Sequence, residues 1–460
     1  MASQPANWKK PYTLPICLAS IPFCIQEEKI NMRILHISIE RNGIQVPVGI
    51  IRGNMPEDAV FQYDPLYLKS AYAVAISLSL PLQAESFSVQ KTACYFEGLL
   101  PEGFSRRSVA QYLHTDEDNY LSILSGLGRE CLGAVQVTED GFQSEPAHYE
   151  KLSGKEVKAL AEEGVSKSTE LVTKAHLSLT GASGKVGLYY GNDHQWYLPK
   201  GTAPSTHIVK QSHIRLRDII TNEQLCLLTA EKAGLTIPHS FIVNTGNGRE
   251  DEILFATERY DRRITASSAV LDGLPVPFRL HQEDMAQALG IFGSHKYETE
   301  PHAYFSRMCQ LIRENSDRPV EDLESLWKLL IFHYLCGNTD GHIKNISLLY
   351  NESLSGLCLS PVYDIISTVI YPSGSRDMAL FIGSTNHFAE ITKQNFIEEA
   401  HKAKLNTRKA MQIYQEMLRS FAFHMDESAA ELKAAGYLHA DEIKEKILTE
   451  GGYAHLQQKF

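Results

Sequence analysis

The chain predicts an α+β fold of two lobes, a strand-rich one followed by a mostly helical one, with a small α+β subdomain in front. Three observations carry that expectation. Residues 170 to about 275 hold a succession of short apolar strands interrupted by a single helical stretch. From 280 onward apolar residues recur at three- and four-residue spacing, the period of a helix with one buried face. A β interlude at about 346–365 then breaks the helical part. Runs of strands followed by runs of helices belong to the α+β class.

Taken in order, residues 1–31 read as an extension, since Pro11, Pro15 and Pro22 break the apolar run Tyr12-Thr13-Leu14-Pro15-Ile16-Cys17-Leu18-Ala19 and Met32 directly precedes a good strand. No clean small-x-small cleavage site follows the Lys9-Lys10 pair, so a secretory leader is not expected and a cytoplasmic location is. Residues 32–145 form the first subdomain. Ile34-Leu35-His36-Ile37-Ser38-Ile39 and Val46-Pro47-Val48-Gly49-Ile50-Ile51 alternate around Arg41-Asn42-Gly43, a hairpin signal. β character is expected to about residue 90, then helices near 102–113 and 118–127.

Residues 146–275 are the strand-rich lobe, with 146–165 reading as a connector. Its strands are centred on Gly187-Leu188-Tyr189-Tyr190, Trp196-Tyr197-Leu198, His207-Ile208-Val209-Lys210, Ser240-Phe241-Ile242-Val243 and Ile253-Leu254-Phe255-Ala256-Thr257. A helix from Asn222 to Ala233 ends at Gly234. Residues 276–460 are the helical lobe.

The bulk properties exclude several classes. A net charge of -11 over 460 residues argues against a chain built mainly to grip a nucleic-acid backbone. No apolar run reaches the ~18 residues of a membrane span. Eight cysteines at 17, 24, 94, 131, 226, 309, 336 and 358 include no C-x-x-C pair, so neither a zinc site nor a disulfide framework is expected.

The chemistry concentrates in Gly337-Asn338-Thr339-Asp340-Gly341-His342-Ile343-Lys344-Asn345. Leu323, Leu326, Trp327, Leu330, Ile331 and Tyr334 mark one apolar face of a helix that stops at Gly337, and Ile346-Ser347-Leu348-Leu349-Tyr350 restores a strand. Asp340 and Asn345 have the D-x-x-x-x-N spacing of a phosphoryl-transfer loop: the Asp accepts the proton of an attacking hydroxyl and the Asn holds Mg²⁺. Lys344 offsets phosphoryl charge. The same residues also make ordinary turns. The hairpin that follows, through Leu357-Cys358-Leu359, brings Asp364 back towards Asn345 as a second metal ligand, in the role and order of the DFG aspartate but without its Phe-Gly.

Upstream, Thr206-His207-Ile208-Val209-Lys210 is a strand ending in lysine, comparable to V-A-I-K, with Glu223 as the carboxylate to orient it. Such a lysine is equally a solvated strand end. Residues 256–262 stand where a hinge should contact adenine, which makes Glu258 and Tyr260 candidates, while Arg259 and Arg262 also suit plain ion pairs. Leu179-Thr180-Gly181-Ala182-Ser183-Gly184-Lys185 is not a Walker A loop, because Leu179 and Val186 stand where Gly and Ser or Thr are required. A glycine turn over nucleotide phosphates fits better. This ordering of lobes and motifs is that of a bilobal, protein kinase-like fold.

In that order the chain resembles the HipA family of serine/threonine kinase toxins over about residues 32–425. The matching pieces run from Tyr95-Phe96-Glu97-Gly98-Leu99-Leu100-Pro101-Glu102-Gly103 through Pro199-Lys200-Gly201, Gln282-Glu283-Asp284-Met285 and Lys296-Tyr297-Glu298 to Pro361-Val362-Tyr363-Asp364-Ile365-Ile366, with the motifs above between them. The resemblance implies a catalytic base at Asp340 and Mg²⁺ ligands at Asn345 and Asp364. It places ATP contacts at Lys210, Gly181, Ala182, Lys185, Glu258, Tyr260 and His342, and an autophosphorylated, self-silencing serine at Ser178. It further implies an aminoacyl-tRNA synthetase as protein substrate and a HipB-like helix-turn-helix antitoxin, with DNA reached only through that partner. The family's usual Gly-Ala-Gln-Glu-Lys loop is here Gly181-Ala182-Ser183-Gly184-Lys185, so Ser183 is a second candidate for modification. A scaffold that only holds an antitoxin, or a small-molecule kinase, are the alternatives.

Overall fold

In the first subdomain, alternation and turn chemistry build an antiparallel sheet of four strands, in the order Val60–Tyr63, Ile44–Arg52, Ile34–Arg41, Val135–Glu139. A computed structural model describes residues 32–141, 145–175, 184–212 and 216–457. Asn42 and Gly43 both take positive φ, 51° and 75°, as a two-residue hairpin that matches strand twist requires. The β character expected to residue 90 ends earlier, at Tyr63. Asp64 caps a short helix, Pro65–Lys69, by accepting from the Leu66 and Tyr67 amides, and Ser88 caps another at Val89–Phe96. Those caps outweigh the β propensity of the side chains that follow. Helices Gly103–Tyr112 and Tyr120–Leu127 come close to the expected positions.

The next segment is a six-stranded antiparallel sheet ordered His148–Lys151, Trp196–Lys200, Lys185–Tyr190, His207–Gln211, Ile253–Glu258, Ser240–Asn244. The stretch expected to be a connector thus supplies an edge strand, because Tyr149 pairs with Pro199 and hides its ring against Tyr189. Two helices, Gly154–Glu162 and Val165–Lys174, follow it, the first closed by a Ser153/Glu156 capping box. Ile219–Lys232 is the helix expected from Asn222.

The remainder is mainly helical around Pro319–Cys336, whose Trp327 donates its indole N–H to the Ala410 carbonyl of the 28-residue helix Thr407–Ala434 (2.9 Å). A three-stranded sheet of Gln282–Asp284, Ser347–Tyr350 and Leu357–Leu359 carries the expected hairpin. The pair Asp377–Ile382 and Thr385–His387 was not expected. Residues 33–460 form one compact unit in which these segments share a continuous apolar core. Among the described residues no helix is long and apolar enough to cross a membrane, and the six described cysteines are free thiols.

Candidate active site

Helix Pro319–Cys336 is buried along most of its second half and ends because Gly337 takes a left-handed φ of 73°. A Cβ there would stand 2.2 Å from a Val369 methyl, so the turn needs glycine twice over. The loop beyond it is indeed a turn. Asn338 Oδ1 accepts the Asp340 amide (3.0 Å), Asn345 Nδ2 donates to the Asp340 carbonyl (3.1 Å), and Thr368 Oγ1 accepts the Thr339 amide (2.8 Å). Turn and site are the same object: the hydrogen bonds that close the loop hold its two chemical residues side by side.

The hairpin then returns the chain to Asp364, which adopts a φ of 57°, a strained setting for a residue with a side chain. Its Oδ1 accepts from Lys210 Nζ at 2.6 Å, and Glu223 Oε1 accepts from the same ammonium at 2.6 Å. The lysine is therefore no solvated strand end. Burial raises the Asp364 pKa, but Lys210 and Lys185 overcome it and hold the carboxyl well below the usual range. Glu223 is buried too, and its carboxyl is pushed up despite Lys210.

Lys185 is the cross-strand partner of Lys210, so both side chains leave the same face of the sheet. Burial, then repulsion from Lys210 against attraction from Asp364, bring the Lys185 ammonium down to about 8. Both lysines, Asp340, Asn345 and Asp364 line one cavity of about 350 Å³, together with apolar Ile208, Leu227 and Phe255. His342 is on its wall. Burial and the neighbouring Lys296 push its imidazole down to about 3, and Nδ1 has no hydrogen-bond partner among the described residues.

Glu258 and Tyr260 also line the cavity. The Glu258 carboxylate faces outward towards His239 (3.5 Å), while Tyr260 stacks on Tyr363 with ring centroids 5.7 Å apart. Arg259 and Arg262 form ion pairs, with Glu130 of the first subdomain at 3.1 and 2.9 Å and with Asp261 at 2.8 and 3.0 Å. Lys344 does not stand free: its ammonium is taken by Glu102 and Asp284 (3.3 Å each) and the Gly98 carbonyl (3.2 Å). Ser178, Gly181, Ala182 and Ser183 lie outside the described residues.

Sequence reasoning missed Glu102, Lys296 and Tyr297, all at the cavity. The Tyr297 hydroxyl donates to Asp340 Oδ1, and Lys296 Nζ is 2.5 Å from Glu102. Their signal was present only in the matched pieces Pro101-Glu102-Gly103 and Lys296-Tyr297-Glu298, which carry no chemistry by spacing. Asp340 is the exposed residue of this loop, yet the surrounding protein depresses its hydration. That desolvation, and the nearby Asp364 charge, raise its pKa despite the Tyr297 hydrogen bond.

Comparison with known proteins bears on this geometry. A model of the HipA-like C-terminal domain matches residues 177–425, and a model of the HipA N-terminal domain matches residues 44–138. The chain belongs to the HipA family. Y4mE of Sinorhizobium fredii, which bears the name of a kinase, is 34% identical over 355 residues, covering 75% of this chain and 81% of that protein. The serine/threonine-protein kinase toxin HipA of Shewanella oneidensis is 26% identical over 320 residues, 67% of this chain and 70% of that one. A solved Shewanella oneidensis complex of HipA, HipB and operator DNA contains a chain that superposes with a TM-score of 0.74 at 20% identity, covering 92% of this chain and 97% of that one. The HipA kinase-like α+β fold is therefore the fold of this chain.

The residues present fit a nucleotide with its metal. Asp364, held in its charged form, and Asn345 offer one carboxylate and one amide oxygen. Magnesium commonly takes one or two such protein ligands and completes its shell from phosphates and water. Among the described residues no group of three or more His, Cys, Asp or Glu gathers as a metal cage.

Proposed function

We propose that this HipA-family chain is an ATP- and Mg²⁺-dependent serine/threonine-protein kinase acting in the cytoplasm as a toxin. The observation that carries the reading is the Lys210 ammonium held at 2.6 Å by both Glu223 and Asp364, in a cavity whose wall also presents Asp340 and Asn345. A merely structural ion pair gains little from burying two carboxylates on one lysine. A phosphate-binding site needs that pre-positioned charge.

Bound Mg²⁺-ATP supplies the phosphoryl group and offsets its charge. Lys210 and Lys185 would hold phosphate oxygens and Asn345 and Asp364 the metal, in a cavity that apolar Ile208, Leu227 and Phe255 also wall. Asp340 accepts the proton of a serine or threonine hydroxyl. Its raised pKa makes it a better proton acceptor than an ordinary aspartate. Lys344, neutralised by Glu102 and Asp284, fixes the loop against the first subdomain. Glu258, Tyr260 and His342 border the nucleotide.

By family resemblance the protein target is an aminoacyl-tRNA synthetase, Ser178 is the site of self-inactivation, and a HipB-like antitoxin is the partner that reaches DNA. The antitoxin is supported by the solved HipA–HipB–operator assembly of the Shewanella relative. Incubation with labelled ATP and Mg²⁺ is expected to label the chain or a synthetase. Asp340→Ala is expected to lower the rate by ~10²–10⁴-fold. Label that persists at the wild-type rate in that variant rejects the assignment. A new phosphometabolite without phosphoprotein means a small-molecule kinase, and nucleotide binding without transfer means a scaffold.

A further inference from the structure

The Asp340 side chain enters the cleft from a loop whose own hydrogen bonds fix only the backbone. A carboxylate on such a loop turns easily about its last bond, since that torsion is broad. One donor fixes it, the Tyr297 hydroxyl on Oδ1. Among the described residues Oδ2 makes no hydrogen bond.

Tyr297 is itself held on several sides. Its ring meets the His342 ring edge to face, centroids 5.1 Å apart, and Lys296 Nζ stands 5.4 Å from its centroid. The next residue, Glu298, is buried and accepts the Tyr304 amide (3.1 Å) and the Phe381 amide (2.9 Å), pinning the segment to two elements of the helical lobe. Lys296 is seated by Glu102 at 2.5 Å. Glu102 precedes helix Gly103–Tyr112 of the first subdomain, so a residue 194 positions before Lys296 reaches the candidate base through two side chains.

We propose that Tyr297 is a positioning residue for Asp340, fixing the carboxylate through Oδ1 and leaving Oδ2 to take the acceptor's proton, and that Glu102 braces it through Lys296. The first subdomain is then part of the catalytic apparatus rather than an appendage. This rests on the kinase reading above. The chemistry asks for it: a general base acts only when its lone pair is aimed at the proton it takes, and small misplacements are costly.

The test is the rate of self-labelling of the full chain against the concentration of labelled ATP with Mg²⁺, for wild type, Tyr297→Phe, Lys296→Met and the double variant. Phenylalanine keeps the ring between His342 and Lys296 and removes only the hydroxyl. The maximal rate is expected to fall about tenfold to a hundredfold, the effect of a lost hydrogen bond to a charged group. Half-saturating ATP is expected to stay within about twofold, because the interaction is not made to the nucleotide. Lys296→Met is expected to show the same split more weakly. The double variant is expected to be no slower than Tyr297→Phe, since the lysine acts through the tyrosine.

An unchanged maximal rate in Tyr297→Phe overturns the proposal. A faster one does too, since the hydroxyl would then be blocking the base. A lowered thermal midpoint together with a raised ATP requirement means a merely structural role and also overturns it. Additive losses in the double variant reject the Lys296 brace. A wild-type chain that transfers no label, to itself or any protein, rejects the kinase reading and this proposal with it.

Discussion

Replacing Glu130 by glutamine is expected to destabilise the whole unit, through a charge count that the buried cluster makes explicit. Arg259, Arg262 and Arg279 face Glu40, Glu130 and Asp261, three cations against three carboxylates, all buried. Glu130 Oε1 accepts from Arg259, Arg262 and the Ser205 amide, and Oε2 accepts from Arg279. Gln keeps the shape but leaves one uncompensated positive charge, and turns one oxygen into a donor that faces donors.

The magnitude follows from the acid equilibrium of Glu130. Burial alone would raise its pKa, yet the three arginines bring it from 4.5 down to about 2. That displacement corresponds to roughly 3 kcal/mol in favour of the charged form. Breaking a buried ion pair from one side typically costs ~3–5 kcal/mol, in agreement. At ~2 cal/mol/K of unfolding entropy per residue, a unit this size loses only about 3–6 °C of midpoint. Scanning calorimetry at neutral pH, without nucleotide, reads it. Glu130→Gln/Arg279→Gln removes one charge of each sign and is expected to recover part of the loss. A Glu130→Gln midpoint equal to wild type, or a double variant worse than the sum of the singles, refutes the charge count.

Lys210→Met is expected to abolish phosphoryl transfer and weaken ATP binding at least ~10-fold, since Glu223 and Asp364 then face each other without their shared cation; calorimetric titration with ATP reads it. Glu283, bonded to Ser77, Leu78 and Tyr350, is pushed up to about 7 by burial. A carboxyl whose folded pKa lies above its unfolded value of ~4.3 stabilises the fold in its protonated form, so that contribution is full below that value and is lost as pH rises towards 7. Thermal midpoints from pH 4 to 8 are therefore expected to fall less steeply in Glu283→Gln than in wild type. Gly337→Ala is expected to cost ~1–3 kcal/mol from the left-handed backbone, with more from the Val369 clash. Urea unfolding measures the loss, and a drop in transfer rate accompanies it because the Asp340 loop begins there.

Much of the site was legible because its signals are local. The Asp340–Asn345 spacing, the stop at Gly337, the strand ending in Lys210 and the hairpin leading to Asp364 all lie within short stretches governed by periodicity and turn chemistry. The misreadings were local conflicts decided elsewhere. Residues 148–151 became an edge strand because a neighbouring strand stood ready to pair with them, and the β-rich stretch after Tyr63 was cut short by caps at Asp64 and Ser88.

By itself, then, the sequence determined the order of lobes and the residue pattern of the Asp340–Asn345 loop, because hydrophobic period and turn residues act over a few positions. Only the tertiary structure decided that Arg259 and Arg262 serve a buried charge cluster with Glu130, that Lys344 is spent on Glu102 and Asp284, and that Tyr297 holds Asp340. Those contacts join residues from 43 positions apart (Tyr297 and Asp340) to 242 apart (Glu102 and Lys344). No propensity couples such distances; the shared core brings them together, and a buried charge is then held wherever a partner can be reached.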